Sequence, residues 1–165
     1  MLVARRALYN GDWESAVRNA RAAATPWKTL DPSVTPVAFV EGMGLLRLGR
    51  IADAIDCLER ARTANPGRMY TINNLGILYA STGQFEKAIE CFSLATARYP
   101  DRVECFSNLA GCYIDTGRYA EAVALLEQIP AELRSEAVIA NLGRARDGLA
   151  AGETTGAATV DPSKR

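Results

Sequence analysis

Apolar residues in this chain recur at spacings of three and four. Leu75, Leu78 and Tyr79 mark the face of one helix, and Phe85, Ile89 and Phe92 mark the next. That period predicts paired amphipathic helices. Gly83 and Gly117 stand between the members of a pair, in a tight turn whose positive φ costs little only without a Cβ. Pro66 and Pro100 end second helices, because proline lacks an amide donor and restricts the residue before it. The pattern predicts nine helices, over residues 3–10, 13–24, 36–48, 51–64, 69–82, 85–98, 103–116, 119–128 and 135–149. Residues 25–36 carry three prolines and are expected as a longer loop that adds four residues to the period. Residues 151–165 have little to bury and are expected to be disordered.

Sliding the sequence against itself by 34 residues pairs Gly42 with Gly76, Gly49 with Gly83, Ala54-Ile55 with Ala88-Ile89, Cys57 with Cys91, Ala61 with Ala95 and Pro66 with Pro100. The same shift pairs Asn74-Leu75 with Asn108-Leu109, Tyr79 with Tyr113, Thr82-Gly83 with Thr116-Gly117 and Ala88 with Ala122. At these residues the sequence resembles the tetratricopeptide repeat (TPR) family, whose helix-turn-helix unit sets small and large apolar residues at fixed offsets. Residues 69–102 are the fullest copy, with Asn74-Leu75-Gly76, Tyr79, Gly83, Phe85, Ala88, Phe92, Ala95 and Pro100. The copy at 35–68 departs at Glu41, where the family has a large apolar residue. The copy at 103–136 has Ala110 for the glycine and ends early at Ile129-Pro130. A partial copy precedes these at Gly11-Asp12-Trp13-Glu14-Ser15-Ala16, and Asn141-Leu142-Gly143 restarts the motif after them.

The resemblance covers about residues 4–150 and implies an all-α fold, a right-handed α-solenoid of TPR-type helix-turn-helix repeats with one concave face. The expected organisation is a TPR domain over 1–150, comprising a partial repeat 1–30, repeats 35–68, 69–102 and 103–136 and a capping helix 135–149. A repeat cannot bury its apolar faces alone, so the half-repeats at each end are read as caps.

In such a stack the first helix of each unit lines the groove. Asn74, Asn108 and Asn141 then face into it, and their amides offer a donor and an acceptor to an extended peptide backbone. The competing reading gives these asparagines a local structural role. Around them the expected groove holds Phe39, Val40, Met43 and Ile77 toward the amino end, and Asn73, Ser107, Gly111 and Ile114 toward the middle. Arg47, Glu104, Asp115 and Arg144 supply charge at its margins. The alternative places the 25–36 loop or the first helix over Phe39, Val40 and Met43 as ordinary core. Some TPR proteins hold a terminal carboxylate with Lys, Arg and Asn; here the corresponding Phe39, Met43, Asn74, Glu104 and Asn108 lack the lysines, which disfavours that mode.

Composition narrows the chemistry further. The chain has 19 Lys+Arg, 19 Asp+Glu and no histidine, so its formal charge is zero. Nucleic-acid binders need a clustered positive field, which argues against that class. Without histidine there is no Ser-His-Asp or Cys-His pair, no His-ligated zinc and no imidazole switch. No P-loop, CxxC or dinucleotide loop occurs, and no catalytic, cofactor or metal site is expected. Cys105 and Cys112 lie two helical turns apart, about 10.5 Å, and Cys57 and Cys91 are a helix-packing distance of about 8–10 Å apart. Neither pair meets disulfide geometry, so buried free thiols are expected.

These observations favour a non-enzymatic module that binds a peptide or helical segment of another protein in its groove. No apolar run with a cleavage site and no membrane span is visible, so a soluble, cytoplasmic protein without direct membrane insertion is expected. Two other readings stand beside it. Thr29–Pro36, leading through Phe39 to Gly42, is similar to the TPR-bearing tails of some bacterial O-antigen-ligase-like membrane proteins, which would make the chain a soluble accessory domain for glycan assembly. Exposed apolar ends could also pair two chains into a homo-oligomer.

Overall fold

The computed structural model describes residues 2–23 and 37–157. Among them are nine α-helices: α1 (Leu2–Tyr9), α2 (Trp13–Ala22), α3 (Val37–Arg47), α4 (Ile51–Ala64), α5 (Met69–Ser81), α6 (Phe85–Arg98), α7 (Val103–Asp115), α8 (Tyr119–Glu127) and α9 (Glu136–Ala157). A 3-10 turn, Ala131–Leu133, separates α8 from α9. Helix bounds fall within one or two residues of those expected until the carboxyl end, where α9 runs to Ala157 instead of stopping at 149. Residues 151–157, expected to be disordered, are therefore helical. An existing helix gains one hydrogen bond for each residue it adds, and no proline interrupts this one before Pro162. The 25–36 loop and residues 158–165 lie outside the described residues.

The chain divides into two compact units, Met1–Gly83 and Gln84–Arg165. In the first, α1, α2, α3, α4 and α5 pack each on the next, and α1 also meets α3. Helix α3 has glycine on two faces. A Cβ on Gly44 would come within 2.8 Å of the Val17 Cγ2, and one on Gly42 within 3.0 Å of Leu58. These hydrogens let α2 and α4 lie close on either side. In the second unit α7 packs on α6, α8 and α9, and α8 on α9. Its core joins Ala110 and Ile114 of α7, Ala122 and Leu126 of α8, Ile129, and Val138, Leu142 and Ala145 of α9. Ile114, expected in the groove, is part of that core, because it points toward α8 and α9.

The turns repeat as the sequence predicts. Gly11, Gly49, Gly83 and Gly117 all have φ of +74 to +76°. After Gly11, Gly49 and Gly117 the next residue's amide reaches back five residues: Asp12 to the Ala7 carbonyl at 3.0 Å, Arg50 to Leu45 at 2.9 Å and Arg118 to Tyr113 at 2.7 Å. This is a Schellman closure, which satisfies helix-end carbonyls. After each turn, the residue preceding the new helix pairs with the side chain or amide three positions on. The Asp12 carboxylate accepts from the Ser15 amide at 3.0 Å, and hydrogen bonding to the Ser15 side chain and then to its amide holds the Asp12 pKa below the ordinary value. Arg50 donates to Asp53 at 2.7 Å, Lys87 to Gln84 at 3.0 Å and Arg118 to Glu121 at 2.6 Å. Helix α8 ends early, and Arg134 donates to the Ile129 and Glu127 carbonyls at 2.9 and 3.2 Å. A cation at a helix carboxyl terminus also opposes the negative end of the dipole.

Candidate functional site

The expected groove residues occupy the same register on successive first helices. Moving by 34, Phe39, Val40 and Met43 of α3 become Asn73, Asn74 and Ile77 of α5 and then Ser107, Asn108 and Gly111 of α7. Moving by a further 33, Asn108 and Gly111 become Asn141 and Arg144 of α9.

In the first unit the register is only partly open. Val40 is buried against Ala20 of α2 and Val37, so it is core and not groove. Phe39 and Met43 are half-buried, and the Arg68 guanidinium lies 5.7 Å from the Phe39 ring centroid. On α5, Tyr70 is 60% and Ile77 43% exposed, with half-buried Asn73 and Asn74 between them. One polar and apolar stripe therefore runs along α5. The Asn74 Nδ2 donates to the Tyr70 carbonyl at 2.6 Å, which fixes the amide by a bond within its own helix.

In the second unit the residues meet. The Asn141 Nδ2 donates to both the carbonyl and the Oγ of Ser107 at 3.2 Å, tying α9 to α7. Arg144 donates to the Asn141 Oδ1 at 3.3 Å and to the Asp115 carboxylate at 3.2 Å. An amide has two N–H donors, so Asn141 is engaged as a bracket between helices. Gly111 is half-buried, and a Cβ there would meet nothing within 4 Å, so the surface beside it is open.

Ser107 and Asn108 line a concavity of about 370 Å³ with Val103, Glu104, Leu133, Ser135 and Ala137. Sequence reasoning found the α7 residues and missed the other wall, which the 3-10 turn supplies. The available signal was Pro130, which ends the third copy early and inserts Ala131–Leu133 before the next helix.

A second feature lay unseen in the first unit. Glu41 is 6% exposed, yet its carboxylate receives the Arg21 Nε at 2.7 Å and the Arg60 Nη2 at 3.3 Å. The same Arg60 nitrogen lies 2.9 Å from the Cys57 Sγ. The hydrogen bond to Glu41 raises the pKa of Arg21, and that to Cys57 raises the pKa of Arg60. This cluster borders a concavity of about 540 Å³ that also includes Asp53, Asp56 and Glu59. Glu59 is held in turn by Tyr79 at 2.7 Å and Arg62 at 2.7 Å. Its charges answer one another across α2, α3 and α4, which makes it a structural clamp. All four cysteines are buried and free, and burial raises the Cys57 and Cys105 thiols and pushes Cys112 up to about 11. Among the described residues no group of three or more Cys, Asp or Glu is placed to hold a metal ion, and no helix is long and apolar enough to cross a membrane.

The tetratricopeptide repeat family model matches residues 67–129. Those residues are tetratricopeptide repeats. Solved TPR structures extend the likeness in fold to most of the chain. A MamA structure (MSR-1) is 18% identical with a TM-score of 0.72, covering 92% of this chain and 85% of its own. The nearly identical TPR-like repeats of a Podosopora anserina kinesin light chain are 24% identical with a TM-score of 0.72 over the same shares, 92% and 85%. A tetratricopeptide repeat protein from Parabacteroides merdae reaches a TM-score of 0.80 at 18% identity, over 91% of this chain and 59% of that one. No curated protein matches the chain. The repeat match supports a protein-interaction scaffold in general, and the solved structures show the likeness in fold.

Proposed function

We propose that this chain is a non-enzymatic binding module that takes a peptide or helical segment of a partner protein on the exposed faces of its first helices. The observation that carries the proposal is the register of partly exposed residues. Asn73, Asn74 and Ile77 on α5 recur 34 positions on as Ser107, Asn108 and Gly111 on α7, and all six remain at least partly accessible. Each unit thus offers a face of the same register, an amide beside apolar or small residues, to a peptide or helix. Asn74 serves that face in the first unit and Asn108 in the second, whereas Asn141 and Arg144 hold α9 to the edge of α7.

Affinity capture with the intact chain identifies partners. Hydrogen exchange on the complex then tests the surface, with protection expected on α5 and α7. Protection confined to the outer face of α6, around Leu94, would refute the assignment. Calorimetry with the captured partner should show weaker binding for Asn74→Ala combined with Asn108→Ala; unchanged affinity removes the two amides from the mechanism.

A further inference from the structure

The concavity between α7, the 3-10 turn and the start of α9 has a floor, a fixed wall and a charge bias, and these identify a ligand class. Leu133 is 58% exposed and lines the concavity with Val103 and Ala137, so an apolar side chain entering here gains contacts with several apolar groups. The wall is held from both flanks. Arg134 binds the Ile129 and Glu127 carbonyls, and the Ser135 Oγ accepts from the Val138 amide at 3.4 Å. A wall ordered before binding removes part of the entropy cost of association. About 370 Å³ lies within the range of about 300–1,000 Å³ typical of ligand pockets.

The charge bias is negative. Glu104 lines the concavity, and Glu132 and Glu136 flank its wall in sequence; none of the three has an ion pair among the described residues. Arg102 pairs with Asp101 at 3.6 Å, whereas Arg134, bonded to neutral carbonyls, keeps its positive charge. That charge and the amino termini of α7 and α9, about half a positive charge each, oppose the three carboxylates and leave a balance of about one negative charge.

We infer that this concavity binds a partner segment bearing an apolar side chain, such as leucine, flanked by lysine or arginine. The inference rests on the binding reading above and names its ligand chemistry. The apolar side chain lies against Leu133 and Val103, the flanking cation meets Glu104, and Asn108 and Ser107 face the segment's backbone.

The test is an amide-resolved NMR titration of the full chain with the peptide N-acetyl-Arg-Leu-Arg-amide and with its Glu-Leu-Glu counterpart. The basic peptide should shift the amides of Ser107, Asn108, Leu133 and Ala137, and the acidic one should not. Glu104→Gln should weaken the basic peptide about two- to fivefold, as for an exposed ion pair. Leu133→Ser should weaken it by about tenfold or more, as for loss of a buried leucine contact. Both variants change exposed side chains, and an unchanged melting curve confirms their fold. Equal shifts with the two peptides, stronger binding of the acidic one, or no shift with either overturns the inference. A captured partner that still protects α5 and α7 would then leave the binding reading standing without it.

Discussion

Glu41 and Leu109 occupy the same register position in two repeats, and the fold buries both. Moving by 34 from Glu41 gives Leu75 and then Leu109, and a further 33 gives Leu142. All four are buried, at 6%, 0%, 3% and 6% exposure. Repeat geometry therefore sets burial without regard to polarity, and the neighbours must supply the compensation. In the first unit Arg21 and Arg60 do so, from helices on either side of α3. In the second unit Leu109 is buried and Leu142 joins an apolar cluster, while the polar links between α7 and α9 are Asn141 to Ser107 and Arg144 to Asp115. The carboxylate at that position, Glu41, is met by two guanidiniums.

The largest test exchanges the two chemistries. Leu109→Glu places an unpaired carboxylate in an apolar core and should cost more than about 3 kcal/mol, enough to unfold much of the second unit in chemical denaturation. Glu41→Leu should be neutral or stabilising by about 1–4 kcal/mol, because the arginines it releases lie largely in solvent. If Glu41→Leu instead unfolds the protein, the clamp determines the structure of the first unit. Replacing Arg60 and Arg21 together by glutamine should lower the melting temperature more than either single change, since only the pair of losses leaves Glu41 wholly unanswered.

Glycine provides the next contrast. A Cβ on Gly148 would collide with the Tyr119 ring, whereas one on Gly117 would meet nothing but sits at a φ of +74°. Gly117→Ala should cost about 1–2 kcal/mol of pure backbone strain, and no second change should relieve it. Gly148→Ala should be relieved by Tyr119→Ala, which denaturation of the single and double variants would show.

A further effect is expected from pH. Cys112 is raised to about 11, so its folded form holds the proton more tightly than its unfolded form. Its contribution is complete below the unfolded thiol pKa of about 8.5 and is lost as pH rises toward about 11. The melting temperature should therefore fall across that window, less steeply in Cys112→Ala. Smallest of all, Asn141→Ala removes the bracket and should cost about 1 kcal/mol, as for an ordinary hydrogen bond.

Much of the architecture was legible because it depends on local rules repeated three times. The spacing of Leu75, Leu78 and Tyr79 placed a helix, and Gly83 and Gly117 placed turns whose φ only glycine adopts readily. The end of α9 was misread because low burial was taken for disorder, whereas helix continuation needs only an intact hydrogen-bond ladder. The 34-residue shift set the expected groove register, and of the residues placed in it Val40 and Ile114 belong to cores. A few tens of degrees around a helix separate the two environments, and the period alone does not resolve them.

By itself, the sequence determined the repeat, the helices and turns, and the absence of histidine chemistry, since these follow from local backbone preferences and from which groups are present. Only the tertiary structure decided that Arg21 and Arg60 converge on Glu41 from 20 and 19 residues away, that Asn141 holds Ser107 across 34, and that Leu133 walls a concavity on α7. Such pairings depend on how helices rotate against one another, which packing of whole faces settles.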